Sequence, residues 1–574
     1  IRHLADIEGT LGLDAFEGIE VDDLEQVLDE AGKFAADVVA PTNVPGDEQG
    51  CAVEGDTVRV PAEFADVHVQ FVENGWQSVA GNPEYDGMGL PKTIAFAVSE
   101  MCQTANLSYS LMPMLTRDAA VALDEHGSEE LKAKYLAKLV TGEWAGTMIL
   151  TEAQAGTDLG AIKTRATPDG DHYRLEGAKI FITWGDHELS VNIIHFVLAR
   201  IDGAPEGIRG LSLFLVPKFL VGDDGEIGAR NDLYCPSVEH KLGIHGSPTC
   251  VVNFGDNDGA IGYLVGKEGK GVNAMFTMMN NARMEVGLQG LAVSERAYQL
   301  AGAWALDRIQ GSAPGQEGPA AIIHHADVRR MLMLMRAQIE GMRALAYTAA
   351  AQDDLAHSGG DDARVTGMRR LSLLTPVVKT WCTENSLEVT SLGVQIHGGM
   401  GFVEETGAAQ HYRDARILPI YEGTSGVQAA DFTGRKVLGD GGQELKAQVD
   451  ELRAFTASIQ NDDALSGIAS AIEEGLDLLE QGSDWLLANA ADDPNAPGAA
   501  SFNFVMLAGC VLSGALLAKA AAAAHAAGGT YGTEKVATTE FYCAHVLPRA
   551  HAFVRSMTAD ASVTMAIPAE SFGV

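Results

Sequence analysis

Residues 148–158 read Met148-Ile-Leu-Thr-Glu-Ala-Gln-Ala-Gly-Thr-Asp158, and at this stretch the residue pattern of the chain changes. Before it, Asp22–Val38 and Glu129–Leu139 place apolar residues at helical spacing with charged residues between them. After it come β-branched or alternating runs separated by glycine, aspartate and proline: His172–Thr183, Asn192–Arg200, Leu211–Pro217 and Thr249–Phe254. The stretch therefore predicts a junction between a helical segment and a small all-β segment.

Helical spacing returns at Gly271 and predicts a further segment. Long helices are predicted over Gly271–Ile309, Ala321–Asp354 and Arg364–Leu392. Apolar residues recur every three to four positions in the second of these helices, which indicates a buried helix face rather than a methionine-lined cofactor site. They are Val328, Met331, Met335, Ile339, Met342 and Leu345. A chain of 574 residues, at about 150 residues per domain, suggests about four domains. We place them at 1–145 (helical), 146–265 (β), 266–440 (helical) and 441–574 (a further helical block).

Composition excludes several classes of partner. A net charge of -38 repels nucleic acid and anionic membrane surfaces. The 7 cysteines are odd in number and form no C-x-x-C pair, which favours a reducing cytoplasm over a disulfide framework or a zinc site. No segment typical of a signal peptide opens the chain. The longest apolar run, Phe504–Ala518, is rather short for a membrane span, so we expect a buried bundle helix there.

Four stretches could bind a ligand, although each also has a plainer explanation. The loop at 148–158 offers backbone donors, small residues and hydroxyls to an anionic or heteroaromatic ligand, or it is an ordinary glycine-containing turn. Lys179–Thr183 could stack on a flat ring, or it is a plain strand end. Gly266–Gly271 lacks the Gly-Lys-Ser/Thr of a phosphate loop and is better explained as a flexible joint. Glycines in Gln395–Phe402 allow close approach of a ligand, whereas His397 has no partner at metal-ligand spacing, so no metal site is expected.

A fifth stretch, Pro419–Gln428, carries a single carboxylate, Glu422, followed at once by Gly423. Apolar surroundings raise the pKa of a carboxylate by desolvation, and such a group is a good general base near neutral pH. The glycine leaves room for a substrate. The alternative is an ion-paired or helix-capping glutamate.

Together these stretches resemble the acyl-CoA dehydrogenase family in their order and spacing over roughly residues 75–440. The shared motifs are Thr-Glu-x-x-Ala-Gly-Thr-Asp at 151–158, Phe-Ile-Thr at 181–183, Lys241-Leu-Gly-Ile-His-Gly-Ser247, Arg283 in a long helix, Gln395-x-x-Gly-Gly-x-Gly, and Tyr-Glu-Gly-Thr at 421–424. The resemblance implies an α+β multidomain fold: an N-terminal helical domain, a central β-barrel-like domain and a C-terminal four-helix bundle, followed here by the extra helical segment. The length and that segment resemble the longer members that oxidise 3-methylmercaptopropionyl-CoA in bacterial dimethylsulfoniopropionate breakdown, a branch of sulfur metabolism.

The resemblance also implies roles for individual residues. FAD would lie between the β domain and the bundle. Residues expected along the polar edge of the flavin are Met148, Leu150, Thr151, Gly156 and Thr157, with Phe181 and Thr183 covering the other side of the ring. Residues expected at the FAD pyrophosphate and adenosine, mainly of a neighbouring subunit's cofactor, are Arg308, Gln395, Gly398 and Gly399, with Thr424 near the phosphates. Residues expected to contact the acyl-CoA are Thr157, Arg283, Tyr421 and Gly423.

Glu422 is then the expected catalytic base. By this resemblance it removes the α-proton of the thioester while the β-hydrogen leaves as hydride to flavin N5, giving methylthioacryloyl-CoA from the methylthio substrate. The thioester oxygen would accept hydrogen bonds from the flavin ribityl hydroxyl and from the N–H of the base residue. Electron-transfer flavoprotein is the expected electron acceptor, and shared FAD sites imply a homodimer or homotetramer.

Departures from the family pattern leave substrate choice open. Gly426 stands where many members have glutamine, Thr157 replaces a serine, Phe181 replaces a tryptophan, and Asn280 replaces an aspartate. A general short- or medium-chain acyl-CoA dehydrogenase and an acyl-CoA oxidase remain alternatives. A DNA-associated flavoprotein is a remote one, because residues 441–574 carry only six Lys and Arg residues. Nitroalkane-oxidising relatives prefer aspartate at the base position, so Glu422 argues against that activity.

Overall fold

The computed structural model describes residues 1–573, which divide into two compact units. One unit comprises residues 18–285, and the other combines residues 1–17 with residues 286–574. The predicted domain borders at 145, 265 and 440 stay predictions, whereas the predicted fold class is confirmed: helices, a β-barrel-like sheet, and helices again.

The chain up to residue 141 is mainly helical, as predicted. Its helices are α1 Ile7–Leu11, α2 Val21–Phe34, α3 Asn43–Gln49, α4 Phe64–Glu73, α5 Lys92–Ala105, α6 Leu107–His126, α7 Glu129–Leu131 and α8 Ala137–Thr141. A π-helical turn continues α2 to Val39, and another joins α7 to α8, so both predicted helices are present with local widening. Sequence periodicity missed the short hairpin of β1 Ala52–Glu54 and β2 Thr57–Arg59 because each strand is only three residues long.

Ten further strands follow within the unit of residues 18–285. They are β3 Ala145–Ile149, β4 Arg165–Asp169, β5 His172–Thr183, β6 Ile193–Ile201, β7 Leu211–Pro217, β8 Phe219–Val221, β9 Ile227–Arg230, β10 Leu233–Val238, β11 Thr249–Phe254 and β12 Ala260–Val265. Eight of them form one sheet in the order β10-β11-β5-β12-β7-β6-β3, with β4 pairing β5 and β6. The fully buried run of β7 explains why it reads as continuously apolar rather than alternating. The predicted strands at 172–183, 211–217 and 249–254 match β5, β7 and β11.

Helix α9, Gly271–Asp307, follows the joint at 266–270. The remaining helices are α10 Ala326–Ser358, α11 Asp361–His397, α12 Ala408–Ala415, α13 Ser425–Ala430, α14 Gln443–Ile459, α15 Ser466–Asn489, α16 Ala496–Ala527, α17 Gly529–His545, α18 Arg549–Met557 and α19 Ala561–Thr564. The predicted apolar stripe on α10 is confirmed as core: Met331, Met335, Ile339, Met342 and Leu345 are buried, and Val328 at the end is half-buried.

Helix α16 contacts many of the other helices in the unit of residues 1–17 and 286–574. It packs against α10, α11, α15, α17 and α18. Close approach is possible because small residues face large ones: a Cβ added at Gly509 would lie 2.6 Å from the side chain of Trp381 on α11. By length and composition α16 could cross a membrane, but 89% of its most apolar window is buried inside the protein. The prediction of a buried bundle helix here is confirmed.

Candidate active site

Strand β5 and the loop after β3 are joined by direct hydrogen bonds in the unit of residues 18–285. The backbone N–H of Ile180 donates to the carbonyl of Thr151 at 3.0 Å. The ammonium of Lys179, fully buried, donates to the carbonyl of Leu150 at 2.9 Å and pairs with Glu152 at 2.9 Å. The loop 150–157 and the strand end 179–183, two stretches predicted separately as ligand-binding, are therefore one piece of structure.

Glu152 is the centre of that connection. Its carboxylate accepts hydrogen bonds from the backbone N–H of Thr164 at 3.0 Å, the Thr164 hydroxyl at 2.6 Å and the backbone N–H of Lys163 at 2.8 Å. Burial alone would raise the pKa of the Glu152 carboxyl, but Lys179 and these donors lower it to about 2. Burial lowers the pKa of Lys179 to about 8, against the opposing effect of Glu152. The pair is thus charged at neutral pH and fixes the loop.

Backbone strain marks the end of β5. Among residues 1–573, six non-glycine residues have positive φ, and Phe181 (φ 59°) and Trp184 (φ 53°) are two of them. Such a conformation costs roughly 1–3 kcal/mol for a bulky residue and persists where the surroundings enforce it. Trp184 is buried, and its indole N–H donates to the carbonyl of Ser108 at 3.1 Å. Phe181 is instead 59% exposed, so a strained aromatic ring is presented outward.

The residues predicted to lie along the flavin edge differ in exposure. Met148 and Leu150 are buried, Thr151 and Thr183 are half-buried, and Gly156 and Thr157 are exposed. A Cβ added at Gly156 would meet no atom within 4 Å, so the space beside this backbone is open to another molecule. An apolar ring, hydroxyls and an accessible glycine backbone together suit a flat heteroaromatic ligand with a polar edge.

Arg283 lies on α9 and is 5% exposed. Its guanidinium donates to the side-chain oxygen of Asn280 at 3.3 Å and lies over the ring of Phe276 at 5.8 Å. Asn280, which stands where the family pattern has an aspartate, therefore contacts Arg283 directly. Two residues further along, Glu285 accepts hydrogen bonds from Ser99 and Gln103 of α5, both at 2.7 Å, which anchors the start of α9 within the unit of residues 18–285.

The loop that carries Glu422 is held from several sides within the unit of residues 1–17 and 286–574. The ammonium of Lys379 on α11 donates to the carbonyl of Leu418 at 2.8 Å. The hydroxyl of Ser425 donates to the Glu384 carboxylate, also on α11, at 2.5 Å. Glu422 itself has φ 53° and is half-buried. A glutamate in the left-handed region, on a loop held this firmly, indicates a side chain directed for function.

The other predicted residues of this stretch lie beside Glu422. The hydroxyl of Tyr421 donates a short hydrogen bond to the side-chain oxygen of Gln289 on α9. Burial raises the pKa of the Tyr421 phenol well above its usual value, as do the charges of Glu422 and Asp414, so it stays a hydrogen-bond donor. Gly423 has φ 90°, and Thr424 caps α13 by accepting from the backbone N–H of Val427 at 3.2 Å. The Thr424 cap is a structural role compatible with its predicted contact with a phosphate.

Arg308 and the Gln395–Gly399 turn are brought together by two aromatic side chains. The guanidinium of Arg308 lies 6.0 Å from the ring centre of Trp304, and Trp304 stacks on His397 at 5.0 Å. His397 is buried and hydrogen-bonds the carbonyl of Gly393 at 2.7 Å. Gly398, with φ 62°, and Gly399 leave open space where a Cβ would be. A cation beside a stacked ring and an open glycine turn suits a dinucleotide phosphate and its base.

Sequence reasoning assigned no role to several residues that shape these sites: Glu152, Lys179, Gln289, Trp304, Lys379 and Gln428. For Lys179 a signal existed, because it lies on the same face of β5 as the buried Leu175, where a charge requires a partner. For Gln289 and Lys379 none existed, since their partners are more than 35 residues away in sequence. Within residues 1–573, no group of three or more His, Cys, Asp or Glu side chains could hold a metal ion.

Comparison with protein families fits this arrangement. Models of the acyl-CoA dehydrogenase N-terminal, middle and C-terminal domains match residues 21–143, 147–257 and 269–436, and an acetyl-CoA dehydrogenase C-terminal-like model matches residues 448–568. The chain belongs to the acyl-CoA dehydrogenase family, a family of oxidoreductases.

Individual relatives are similar over nearly the whole chain. The 3-methylmercaptopropionyl-CoA dehydrogenase of Ruegeria pomeroyi is 47% identical over 95% of this chain and 94% of its own length. A butyryl-CoA dehydrogenase of Syntrophomonas wolfei is 32% identical over 100% of this chain and 97% of its own length. Among solved structures, an acyl-CoA dehydrogenase from Bacillus anthracis, complexed with FAD, superposes with a TM-score of 0.77 at 20% identity, covering 96% of this chain and 91% of that one.

Proposed function

We propose that this protein uses FAD to dehydrogenate 3-methylmercaptopropionyl-CoA between its α and β carbons, with Glu422 as the base that removes the α-proton. The observation that carries the proposal is the Glu422 loop: a half-buried carboxylate at φ 53°, followed by a glycine and held by buried side chains of α9 and α11. The substrate is supported by the 47% identity to the Ruegeria enzyme of that name.

The residues present fit FAD. An exposed, strained Phe181 offers a surface for a flat ring, and the open backbone at Gly156 admits its polar edge. The hydroxyls of Thr151, Thr157 and Thr183 can donate or accept hydrogen bonds with heteroatoms of the ring. We assign the pyrophosphate and adenosine to Arg308, Gln395, Gly398 and Gly399, with Thr424 near the phosphates. When bound, FAD supplies a two-electron acceptor for the β-hydrogen.

The chain's own contribution is to take a proton from carbon and to orient the thioester. Glu422 carries a carboxylate beside apolar and glycine neighbours, where loss of water strengthens its interaction with a reacting group. Its backbone N–H can donate to the thioester oxygen, on which negative charge develops when the α-proton leaves. Tyr421 and Gly423 line the approach to the base, and Arg283 and Thr157 are assigned to the CoA portion.

Three finer proposals concern partners and location. We propose a homodimer or homotetramer, supported by large apolar side chains close in sequence to Arg308 and Gly399: Leu306 is 62% exposed and Phe402 is 91% exposed. Electron-transfer flavoprotein is the proposed electron acceptor, in keeping with dehydrogenase rather than oxidase relatives. Seven free thiols are compatible with a reducing cytoplasm.

The test is an anaerobic titration of the purified protein with 3-methylmercaptopropionyl-CoA, butanoyl-CoA and octanoyl-CoA, following the visible absorption of oxidised flavin. Bleaching strongest with the methylthio substrate supports the proposal. Equal or stronger bleaching with a plain acyl chain would reduce it to a general acyl-CoA dehydrogenase, and rapid reoxidation by oxygen would favour an oxidase. Glu422→Gln should keep FAD and lose bleaching, so normal turnover by that variant would refute the role of the base.

A further inference from the structure

Glu422 needs support from its surroundings to keep its backbone conformation. A non-glycine residue with φ 53° is in the left-handed region, which side chains with a Cβ avoid. Gly423 follows with φ 90°. Two consecutive residues with positive φ are held only if the peptides on both sides of Glu422 are fixed by other contacts.

The side chain before the base is fixed by helix α9. The Tyr421 hydroxyl donates a short hydrogen bond to the Gln289 side-chain oxygen, 132 residues away in sequence. Gln289 is fully buried. Because the ring is tethered at its far end to a long helix, rotation of the Tyr421–Glu422 peptide would strain this part-buried hydrogen bond.

The peptide after the base is fixed by Gln428. Its side-chain N–H donates to the carbonyl of Glu422 at 3.3 Å, and its side chain is fully buried. The other atom of the same amide, Oε1, is buried without a hydrogen-bond partner among residues 1–573. A Cβ at Gly423 would lie 2.5 Å from the Gln428 nitrogen, so glycine is required for this contact. A buried amide with one unsatisfied atom lowers the stability of a fold. Its presence here therefore indicates a role for the hydrogen bond that Gln428 does make, to the carbonyl of Glu422.

We propose that Tyr421, Gln289 and Gln428 are positioning residues that brace Glu422 from both sides and aim its carboxylate and its backbone N–H at the substrate. This inference rests on the proposed function, because it assumes that Glu422 is the base. It assigns to Tyr421 a role through Glu422, in addition to its place beside the substrate. The brace is expected to affect proton removal rather than FAD binding.

Proton removal can be measured without net oxidation. The FAD-loaded enzyme is reduced anaerobically with dithionite, so that dehydrogenation cannot proceed, and mixed with butanoyl-CoA in ²H₂O. Glu422 then removes an α-proton and returns a deuteron, and proton NMR follows the loss of the α-hydrogen signal per bound FAD. Gln428→Met and Tyr421→Phe should each lower the maximal exchange rate by about tenfold to a hundredfold. For Gln428→Met, which changes no residue assigned to the substrate, the butanoyl-CoA concentration at half-maximal rate should change little.

Matched controls separate positioning from general damage. Gln338→Met removes another fully buried amide, and Tyr542→Phe removes another buried hydroxyl, one that donates to the carbonyl of Cys510 at 2.8 Å. Both controls should exchange at the wild-type rate. Because Tyr421→Phe deletes a single oxygen, it tests the brace even if Gln428→Met does not fold.

The outcomes distinguish the two claims. Slow exchange in the Tyr421 and Gln428 variants, with normal exchange in the controls, supports the brace. If both variants exchange at the wild-type rate while Glu422→Gln abolishes exchange, the brace is overturned and the proposed base is not. Exchange that persists in Glu422→Gln overturns the proposed base and the brace with it.

Discussion

The buried pair of Lys179 and Glu152 allows a quantitative prediction. Lys179→Met keeps the apolar length of the side chain but leaves the Glu152 carboxylate, 4% exposed, without its counter-charge. Removing one partner of a buried ion pair costs about 3–5 kcal/mol. Glu152 keeps its donors from Lys163 and Thr164, so we expect the lower end, about 3 kcal/mol. At about 2–4 °C per kcal/mol, the apparent Tm should fall by roughly 6–12 °C.

The assay is thermal unfolding followed by circular dichroism with FAD in excess, combined with a measurement of FAD affinity. FAD should bind more weakly, because the loop 150–157 loses the Lys179 contacts to Leu150 and Glu152 and keeps only the backbone hydrogen bond from Ile180 to Thr151. The control is Arg165→Met, which breaks the solvent-screened pair of Arg165 and Asp202 at the surface and should leave the Tm nearly unchanged. The double variant Lys179→Met with Glu152→Gln should recover part of the loss, since no charge is left unpaired. A Tm for Lys179→Met no lower than that of Arg165→Met would refute the reasoning.

Three further predictions follow from named contacts. Because the folded-state pKa of Glu152 is lowered to about 2 from the usual 4.5, its contribution to stability is present above about pH 4.5 and is lost as pH falls toward 2; Glu152→Gln should flatten this part of a stability-against-pH curve. Phe181→Gly should raise the free energy of unfolding of the FAD-free protein by about 1 kcal/mol, because it relieves the strain at φ 59°. The same substitution should weaken FAD binding, so an unchanged or stronger FAD affinity in equilibrium titration would contradict the predicted stacking. Gly509→Ala should destabilise by about 1–3 kcal/mol in urea unfolding because its Cβ would lie 2.6 Å from Trp381, whereas Gly498→Ala on the same helix meets no atom within 4 Å and should be neutral or stabilising.

Much of this fold follows from local pattern. Apolar spacing predicted α9, α10 and α11 to within a few residues at most ends, because each helix must bury one face. Alternation and turn residues predicted β5 and β11 at a period of two, and a short apolar run between turn residues predicted β7. The hairpin at 52–59 and the strand β3 were missed, since three to five residues are too few for a period to show.

The candidate site, like the fold, was predicted only in part from the sequence. Glu422 could be chosen from sequence because a charge between an aromatic residue and a glycine is locally conspicuous, and the order of motifs led to the family that the comparisons confirm. The loop that is predicted to face the flavin was also visible locally, through the glycine and threonines of residues 151–158. The individual contacts of these residues with FAD and CoA stay predictions.

The sequence by itself determined the class of fold, the family and the identity of the candidate base, because these depend on periodicity and on residues adjacent in the chain. Only the tertiary structure decided how that base is held. Gln289 contacts Tyr421, which lies 132 residues away in sequence. Lys179 on β5 pairs with Glu152 in the loop after β3. The position of Lys179 on a buried strand face indicates that it needs a partner, but neither local sequence identifies the partner, because a buried polar side chain finds it through the packing of whole helices and strands rather than through its neighbours.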